Sequence, residues 1–291
     1  MTGARRLREM IDGDGIHVAP GAFDGLTARL VEQSGFDLVY ASGGAIARSF
    51  GVPDIGLLSF TEVADRLTAM AEVTSLPILA DADTGFGNEV NAVRAIQVYE
   101  RIGMAGLHIE DQTFPKRCGH LDDKSLVPVE EMVLKLRTML AARTDPDFVV
   151  IARTDAIAVE GFDAALKRAR AYLDAGADVI FVEAPESVEQ IEAIAEAIPH
   201  PKLINMFHGG KTPVVDRDRL RALGYRLVII PSDLQRAAIT AVRRTLRTIM
   251  ADGDSSAVRD DLISFAEREE IVRTNEYLSP QREIPSRPTG A

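Results

Sequence analysis

The sequence predicts a (β/α)8 barrel, the TIM-type fold of the α/β class. Short apolar runs alternate with amphipathic helical segments eight times along the chain, which is the element order of such a barrel. The runs are apolar nearly throughout, as in parallel strands that are covered on both faces. Polar residues follow most of the runs directly, and in a barrel the carboxyl ends of all strands surround one mouth.

Each element has its own local signal. The predicted strands are residues 17–20, 37–41, 77–80, 106–110, 148–152, 179–183, 203–206 and 227–230. The predicted helices are residues 25–34, 62–73, 89–102, 129–142, 162–175, 188–197, 216–223 and 234–250. Glycines that suit a left-handed helix cap follow several of them, at Gly35, Gly103, Gly176 and Gly224. A doubly wound sheet is the main alternative, but the glycine-rich phosphate turn that usually follows its first strand is missing from the sequence.

The chain is predicted to divide into a catalytic barrel, residues 1–251, and a C-terminal segment, residues 252–291. A helical pattern covers residues 256–274 of that segment. The tail from Ser279 onward contains Pro280, Pro285 and Pro288, and we expect it to be poorly ordered.

Composition excludes several classes of function. The net charge is −11, and no cluster of Lys and Arg interleaved with aromatic residues suggests a nucleic-acid partner. No apolar stretch approaches the roughly 20 residues that cross a bilayer, so no membrane partner is expected. Cys118 is the single cysteine, and an internal disulfide is therefore impossible. With no signal peptide apparent, we expect a cytoplasmic protein.

A pair of carboxylates, Asp81 and Asp83, follows the third predicted strand. Residues two apart share one face while a strand stays extended. Together with Asp54 and Glu110, these oxygens suit Mg²⁺, or Mn²⁺, with water completing an octahedral shell. The alternative is that Asp81 and Asp83 cap the helix that begins near Asn88.

Small residues end the second strand, where Tyr40 and Ala41 are followed by Ser42, Gly43 and Gly44. Consecutive small residues expose backbone N–H groups that can hold a carboxylate or an oxyanion. A plain tight turn made by the two glycines is the alternative.

The lone Cys118 lies in a cationic segment that reads Lys116, Arg117, Cys118, Gly119 and His120. Cationic neighbours favour the thiolate, and the thiol is then suited to proton transfer near neutral pH. The loop of residues 112–126 is long for a βα connection, as lids often are. The alternative is a small buried hydrophobe, which is the usual place of an unpaired cysteine.

Two arginines are candidates for binding a substrate carboxylate through the guanidinium fork: Arg153 at a strand end, and Arg236 after the last strand. The alternative for each is an ion pair, for example between Arg153 and Glu183. His108, within an apolar strand, is predicted to be a core histidine or a partner of the metal carboxylates.

Together these motifs resemble the isocitrate lyase / phosphoenolpyruvate mutase superfamily, from about Val18 to about Arg247. The segment from Lys116 to His120 is similar to the signature of the lyase branch, which includes 2-methylisocitrate and 2,3-dimethylmalate lyases. The resemblance implies a homotetramer in which the helix after the barrel is swapped between subunits. It also implies Mg²⁺ bound mainly through Asp81, with Asp54, Asp83 and Glu110 holding its waters.

The resemblance further implies a role for each motif. The groups that would bind the α-keto acid part of substrate or product are Tyr40, Ser42, Gly43, Gly44 and Arg153. The groups that would close over the remaining carboxylates are Lys116, Arg117, Gly119 and His120, with Glu183, Asn205 and Arg236 on the opposite wall.

One departure from the lyase pattern concerns His208. After Asn205 the lyases often carry a glutamate, whereas this sequence continues with Met206, Phe207 and His208. An imidazole in place of a carboxylate implies selectivity for a more anionic substrate, or a different reaction. The run before Arg236 also departs from that of 2-methylisocitrate lyases.

The expected activity is cleavage of a carbon–carbon bond in a 2-hydroxy di- or tricarboxylate, giving an α-keto acid and a second carboxylate. Cys118 would donate a proton to the departing carbon, and the base that accepts the hydroxyl proton is either Tyr40 or a hydroxide on the metal. The alternatives are oxaloacetate decarboxylation, phosphonate chemistry of the phosphonomutase type, and a non-catalytic sensor of keto acids.

Overall fold

The computed structural model describes residues 1–119 and 123–283. Within them, eight parallel strands pair in chain order and close into a barrel, which confirms the predicted (β/α)8 class. The strands are β1 (His17–Ala22), β2 (Val39–Ala41), β3 (Ile78–Asp81), β4 (Gly106–Glu110), β5 (Val149–Thr154), β6 (Val179–Val182), β7 (Lys202–Asn205) and β8 (Tyr225–Ile230).

Helices alternate with these strands. They are α1 (Gly3–Asp12), α2 (Gly25–Gln33), α3 (Gly43–Ser49), α4 (Phe60–Ala71), α5 (Glu89–Arg101), α6 (Val129–Ala142), α7 (Ile157–Glu160), α8 (Phe162–Asp174), α9 (Val188–Ala197), α10 (Arg217–Ala222), α11 (Asp233–Asp252), α12 (Phe265–Ile271) and α13 (Thr274–Glu283). The sequence did not predict α1, α3, α7 or α13. None of the helices in the described residues is both long and apolar enough to span a membrane.

Helix α1 packs at the amino end of the barrel. Thr2 caps it by accepting a hydrogen bond from the backbone N–H of Arg5. Its apolar face presents Leu7 and Ile11, which join the buried cluster inside the barrel with residues such as Val149. A second apolar cluster fills the space between strands and helices. The amino end of the barrel interior is therefore covered by apolar side chains, and the predicted site residues follow the carboxyl ends of the strands.

The chain divides into two compact units, Met1–Arg236 and Ala237–Ala291, and the division falls within α11. In the second unit the predicted continuous helix over residues 256–274 is wrong. A 3-10 turn (Ser256–Asp261) comes first, and Ser264 then caps α12 by accepting from the N–H of Glu267 at 3.1 Å. A left-handed residue, Arg273 (φ +57°), separates α12 from α13.

The proline-containing tail begins within α13. Residues 279–283 form the end of α13, and the poor order of the tail stays a prediction. Pro285 and Pro288 lie outside the described residues.

Candidate active site

A left-handed turn at the end of β3 positions the two predicted metal carboxylates. The strand ends at Asp81, and Asp83 and Phe86 both have positive φ, 46° and 61°. Asp81 Oδ1 accepts a hydrogen bond from the N–H of Asp83 at 2.9 Å. The two carboxylates therefore share one cavity through this turn, not through the strand alternation that the sequence suggested. Neither caps α5, because Asn88 occupies that position.

A small cavity with room for about one water molecule lies against these carboxylates. Asp54, Asp81 and Asp83 contribute to its lining. The backbone of α3 approaches closely, since a Cβ on Gly43 would lie 2.6 Å from Asp81 Oδ2 and one on Gly44 2.8 Å from Asp54 Oδ2. The two glycines are thus needed for the approach of the carboxylates, and they begin a helix instead of forming a plain turn.

Glu110 is the fourth predicted metal carboxylate and is buried at the end of β4. Within the described residues neither of its oxygens accepts a hydrogen bond, although Oε2 lies 3.2 Å from Arg153 Nη1. Burial raises the pKa of Glu110 well above its usual value, against the opposing effect of Arg153. An acceptor that lacks a donor in a buried acidic site fits a water shell around a hard cation.

The donor set fits Mg²⁺ only with water included. Among the described residues no three His, Cys, Asp or Glu side chains are placed to hold a metal by themselves. Mg²⁺ usually keeps several waters and takes one or two carboxylates directly. Direct binding by Asp81, with Asp54, Asp83 and Glu110 reached through water, is compatible with this arrangement.

Lys116 provides the positive charge next to this acidic cluster. It is buried, and its Nζ contacts Asp54 Oδ1 and lies 2.8 Å from Asp83 Oδ1. Burial alone would lower the pKa of Lys116, but the adjacent Asp83 and Asp54 raise it well above its usual value. The ammonium group therefore stays charged and offsets part of the negative charge at the mouth.

Tyr40 and His108 lie beneath Asp81 inside the barrel. The Tyr40 hydroxyl donates to Asp81 Oδ2 at 3.2 Å, and His108 Nε2 lies 2.8 Å from the same hydroxyl oxygen. Burial raises the pKa of Tyr40 well above its usual value, and burial lowers the pKa of His108. Both groups are therefore held in their neutral forms, and His108 Nε2 also lies 3.5 Å from Asp81 Oδ1.

The N–H of Gly43 also donates to Asp81 Oδ2, at 3.2 Å. Ser42 is the N-cap of α3, where its side chain accepts from the N–H of Ala45. Residues 42–44, which the sequence assigned to substrate, thus border the carboxylate cluster.

A second set of predicted residues meets at the ends of β5, β6 and β7. Arg153 is buried, and its guanidinium is paired with Glu110 and Asp155. Asn205 Nδ2 donates to Glu183 Oε1 at 3.2 Å. A Cβ on Gly119 would lie 2.5 Å from Arg153 Nη2 and 2.9 Å from Glu183 Oε1. The backbone beside Cys118 therefore packs directly on Arg153 and Glu183.

The Cys118 segment is closed at its base. Gln112 and Leu126 form an antiparallel bridge, and the Gln112 side chain makes two hydrogen bonds of 2.8 Å with the backbone of Arg117. Cys118 is half-buried and so is not enclosed in the apolar core, as the alternative required. The Arg117 side chain is about half exposed, near Asp123. His120 lies outside the described residues.

Arg236 and His208 lie together. Arg236 Nη1 donates to the backbone carbonyl of His208 at 2.7 Å and is 3.2 Å from Asp233 Oδ1. Both side chains are exposed. These contacts join the two residues to each other and to Asp233.

Several buried polar residues behind the mouth have no predicted role. Asp111 accepts from Thr154 Oγ1 at 2.7 Å and from the N–H of Asp155 at 3.0 Å, which joins the ends of β4 and β5. Its position directly after Glu110 was a usable signal. Lys124 and Lys135 had no such signal, because an isolated lysine usually lies on the surface.

A closed parallel barrel with buried carboxylates, buried cations and a half-buried thiol at its carboxyl-end mouth is typical of a (β/α)8 enzyme. The family model described as phosphoenolpyruvate phosphomutase matches residues 7–250. The chain therefore belongs to the phosphoenolpyruvate mutase / isocitrate lyase superfamily, and the predicted family is confirmed.

Two curated relatives are similar over almost the whole chain. A 2,3-dimethylmalate lyase of Eubacterium barkeri is 41% identical, with 94% of each chain covered. A probable 2-methylisocitrate lyase of Corynebacterium glutamicum is 46% identical, covering 90% of this chain and 87% of the relative. The named relatives are lyases, which places this chain among the lyases of the superfamily.

Solved structures agree. The crystal structure of a 2,3-dimethylmalate lyase superposes with a TM-score of 0.91 at 32% identity, covering 100% of this chain and 99% of that one. A phosphonopyruvate hydrolase in complex with oxalate and Mg²⁺ superposes with a TM-score of 0.89 at 34% identity, covering 97% and 99%.

Proposed function

We propose that this chain is a Mg²⁺-dependent carbon–carbon lyase that cleaves a 2-hydroxy di- or tricarboxylate, similar to 2-methylisocitrate or dimethylmalate, to an α-keto acid and a second carboxylate. One observation carries the proposal. The backbone beside the half-buried Cys118 packs on Arg153, and Arg153 is paired with Glu110 of the acidic cluster. A thiol, a carboxylate-binding cation and candidate metal carboxylates thus lie at one mouth. The similarity to two relatives that are lyases supports the same function.

The metal would be held by Asp81, with Asp54, Asp83 and Glu110 holding its waters; Mn²⁺ is the alternative ion. When bound, such an ion polarises the 2-hydroxyl and the adjacent carboxylate, which eases loss of the hydroxyl proton. The Mg²⁺ in the phosphonopyruvate hydrolase complex supports a divalent ion in this family.

The chain's own residues orient the substrate. The Arg153 guanidinium has donors left after pairing with Glu110 and Asp155, and these suit the α-keto acid part. Because burial raises the pKa of Tyr40, Tyr40 serves there as a hydrogen-bond donor. The 2-hydroxyl proton would pass to a hydroxide held at the acidic cluster, which is the other candidate base. We also place Ser42, Gly43 and Gly44 around this part of the ligand.

Cys118 protonates the other product. Cleavage of the carbon–carbon bond leaves an electron pair on the departing fragment, and the Cys118 thiol donates its proton to that carbon. The cationic groups that would stabilise the fragment are Lys116, Arg117 and His120, together with the backbone at Gly119. The opposite wall would be formed by Glu183, Asn205, His208 and Arg236. His208 would favour a substrate with an additional negative charge there.

A substrate panel tests this function. The purified chain with Mg²⁺ is assayed for keto-acid formation from methylisocitrate, isocitrate, dimethylmalate, citramalate, oxaloacetate and phosphonopyruvate. Turnover of a 2-hydroxy acid, lost with EDTA, is the expected result. Turnover of oxaloacetate or phosphonopyruvate alone would replace the lyase with a decarboxylase or a phosphonate enzyme. Binding of pyruvate or oxalate without any turnover would indicate a sensor.

The assembly we propose is a homotetramer in the cytoplasm, with the C-terminal helices exchanged between subunits. Within the second unit, α11 exposes an apolar stripe on one helical face, formed by Ile239, Val242, Leu246 and Ile249. Light scattering on the full chain tests this, with Leu246→Glu expected to dissociate the tetramer. A monomeric mass for the unsubstituted chain would contradict it.

A further inference from the structure

The buried carboxylate of Asp155 lies between two cations. Arg153 donates to it twice, from Nε to Oδ2 at 2.9 Å and from Nη2 to Oδ1 at 3.1 Å. Lys124 donates to Oδ1 as well, at 3.1 Å. The side chain of Asp155 is fully buried and that of Lys124 is 2% exposed, so both charges are removed from water and depend on each other.

Lys124 also reaches the backbone next to Cys118. The same Nζ donates to the carbonyl oxygen of Gly119. On its other side Gly119 has no room for a Cβ against Arg153 Nη2. Four residues therefore form a closed contact ring: Arg153, Asp155, Lys124 and Gly119.

The ring is fixed to the barrel. The backbone N–H of Asp155 donates to Asp111 Oδ1 at 3.0 Å. Asp111 in turn accepts from Tyr172 and Arg168 of α8. Gly119 is therefore held in place by contacts to the strands and helices of the barrel, in addition to contacts within its own loop.

We propose that Lys124 and Asp155 are positioning residues that hold Gly119, and with it the Cys118 thiol, at a fixed place relative to Arg153. The inference deepens the proposed function, on which it rests: Arg153 binds one part of the substrate and Cys118 protonates the other. A misplacement of about 1 Å between two such groups lowers a rate by about 100-fold. The ring sets the distance between Arg153 and the Cys118 thiol, although neither Lys124 nor Asp155 touches the reacting atoms.

Alkylation of Cys118 by iodoacetamide gives a readout that needs no substrate, because the chain has one cysteine. Lys124→Met keeps an unbranched apolar side chain of similar length, but it removes the positive charge and the N–H donors to Gly119 and Asp155. We expect faster alkylation, a kcat lower by about 100-fold, and unchanged affinity for Mg²⁺. Lys124→Arg restores a cation and donors and should recover most of the kcat. Lys167→Met, at an exposed lysine of α8, is the matched control.

The Asp155→Asn variant distinguishes a role in positioning Cys118 from a general effect on fold stability. It removes the shared carboxylate, so both alkylation and oxalate affinity should change, whereas Lys124→Met should change alkylation and leave oxalate affinity close to wild type. In the double variant the two effects on alkylation should be clearly less than additive, as for residues of one network. Melting temperatures of all variants identify any that gain reactivity by unfolding.

Two outcomes overturn the inference. One is a Lys124→Met protein whose alkylation rate and kcat equal those of wild type. The other is full additivity of the two substitutions. If wild type cleaves no substrate of the panel but the alkylation results hold, the proposed function fails and the positioning role stands. If Lys124→Met does not fold, Lys124→Gln and Asp155→Asn carry the same comparison.

Discussion

The ammonium group of Lys135 lies 2.8 Å from the carbonyl oxygen of Thr84, across 51 positions of sequence. Lys135 projects from α6 and is 2% exposed. Thr84 belongs to the left-handed turn that carries Asp81 and Asp83. A buried lysine thus supports the turn from behind, between the positive-φ residues Asp83 and Phe86.

Lys135→Met is therefore expected to weaken Mg²⁺ binding although Lys135 is not a candidate ligand. The loss of one hydrogen bond of about 1 kcal/mol corresponds to about fivefold in affinity. Fold stability should fall by about 1–3 kcal/mol, because the buried Thr84 carbonyl loses its donor. Isothermal titration with Mg²⁺ and a thermal melt measure the two effects. Unchanged Mg²⁺ affinity would show that the turn does not need Lys135.

Cys118→Ser is expected to lower kcat by about a thousandfold, within the range of a lost general acid, because a serine hydroxyl is a far weaker acid. Binding of Mg²⁺ and pyruvate should remain, since the thiol contributes to neither. Keto-acid formation and calorimetric titrations measure these. If the variant lost Mg²⁺ binding, the assignment of Cys118 as proton donor would have no support.

Gly119→Ala tests the close packing on Arg153. The added Cβ would lie 2.5 Å from Arg153 Nη2 and 2.9 Å from Glu183 Oε1, so the arginine must move. We expect oxalate affinity to fall about tenfold or more, within the usual cost of overpacking. Gly3→Ala is the control, because its Cβ would meet Pro77 at an ordinary 3.5 Å. Equal oxalate affinity in both variants would contradict the described packing.

We expect the buried Lys202, which lies away from the candidate active site, to make the free energy of unfolding depend on pH. Its Nζ donates to the carbonyls of Ile198 and His200, at 2.9 and 3.0 Å. Burial, with a smaller effect of Arg226, lowers the pKa of Lys202 from 10.5 to about 8. Between these two values the unfolded chain binds more protons than the folded one, so this lysine makes stability rise with pH there.

The matching experiment compares wild type with Lys202→Met by urea unfolding at pH 7.5 and at pH 10. The wild type should gain about 1–2 kcal/mol relative to the variant at the higher pH. Lys167→Met should show no such change. A difference between wild type and Lys202→Met that is constant with pH would mean that Lys202 keeps its ordinary titration in the fold.

The strands and the mouth could be predicted because their signals are local. A buried parallel strand is a continuous apolar run, and the polar residue that follows it lies at the mouth by topology alone. The buried lysines could not be found in this way. Lys124 meets Asp155 across 31 positions, and only the closed barrel brings the two together. The helix predicted over residues 256–274 failed for another reason, since the cap at Ser264 interrupts a pattern that is otherwise helical.

The bridge between Gln112 and Leu126 separates the long βα loop from the strand and helix on either side, so the loop could be exchanged as a unit. Because the bridge joins the two ends of the loop, changes of length between them need not shift β4 or α6, and the entropic cost of a longer loop grows slowly. A relative's loop that keeps Lys124 could therefore be grafted between these two residues and would change the groups that close over the substrate while the barrel stays unaltered.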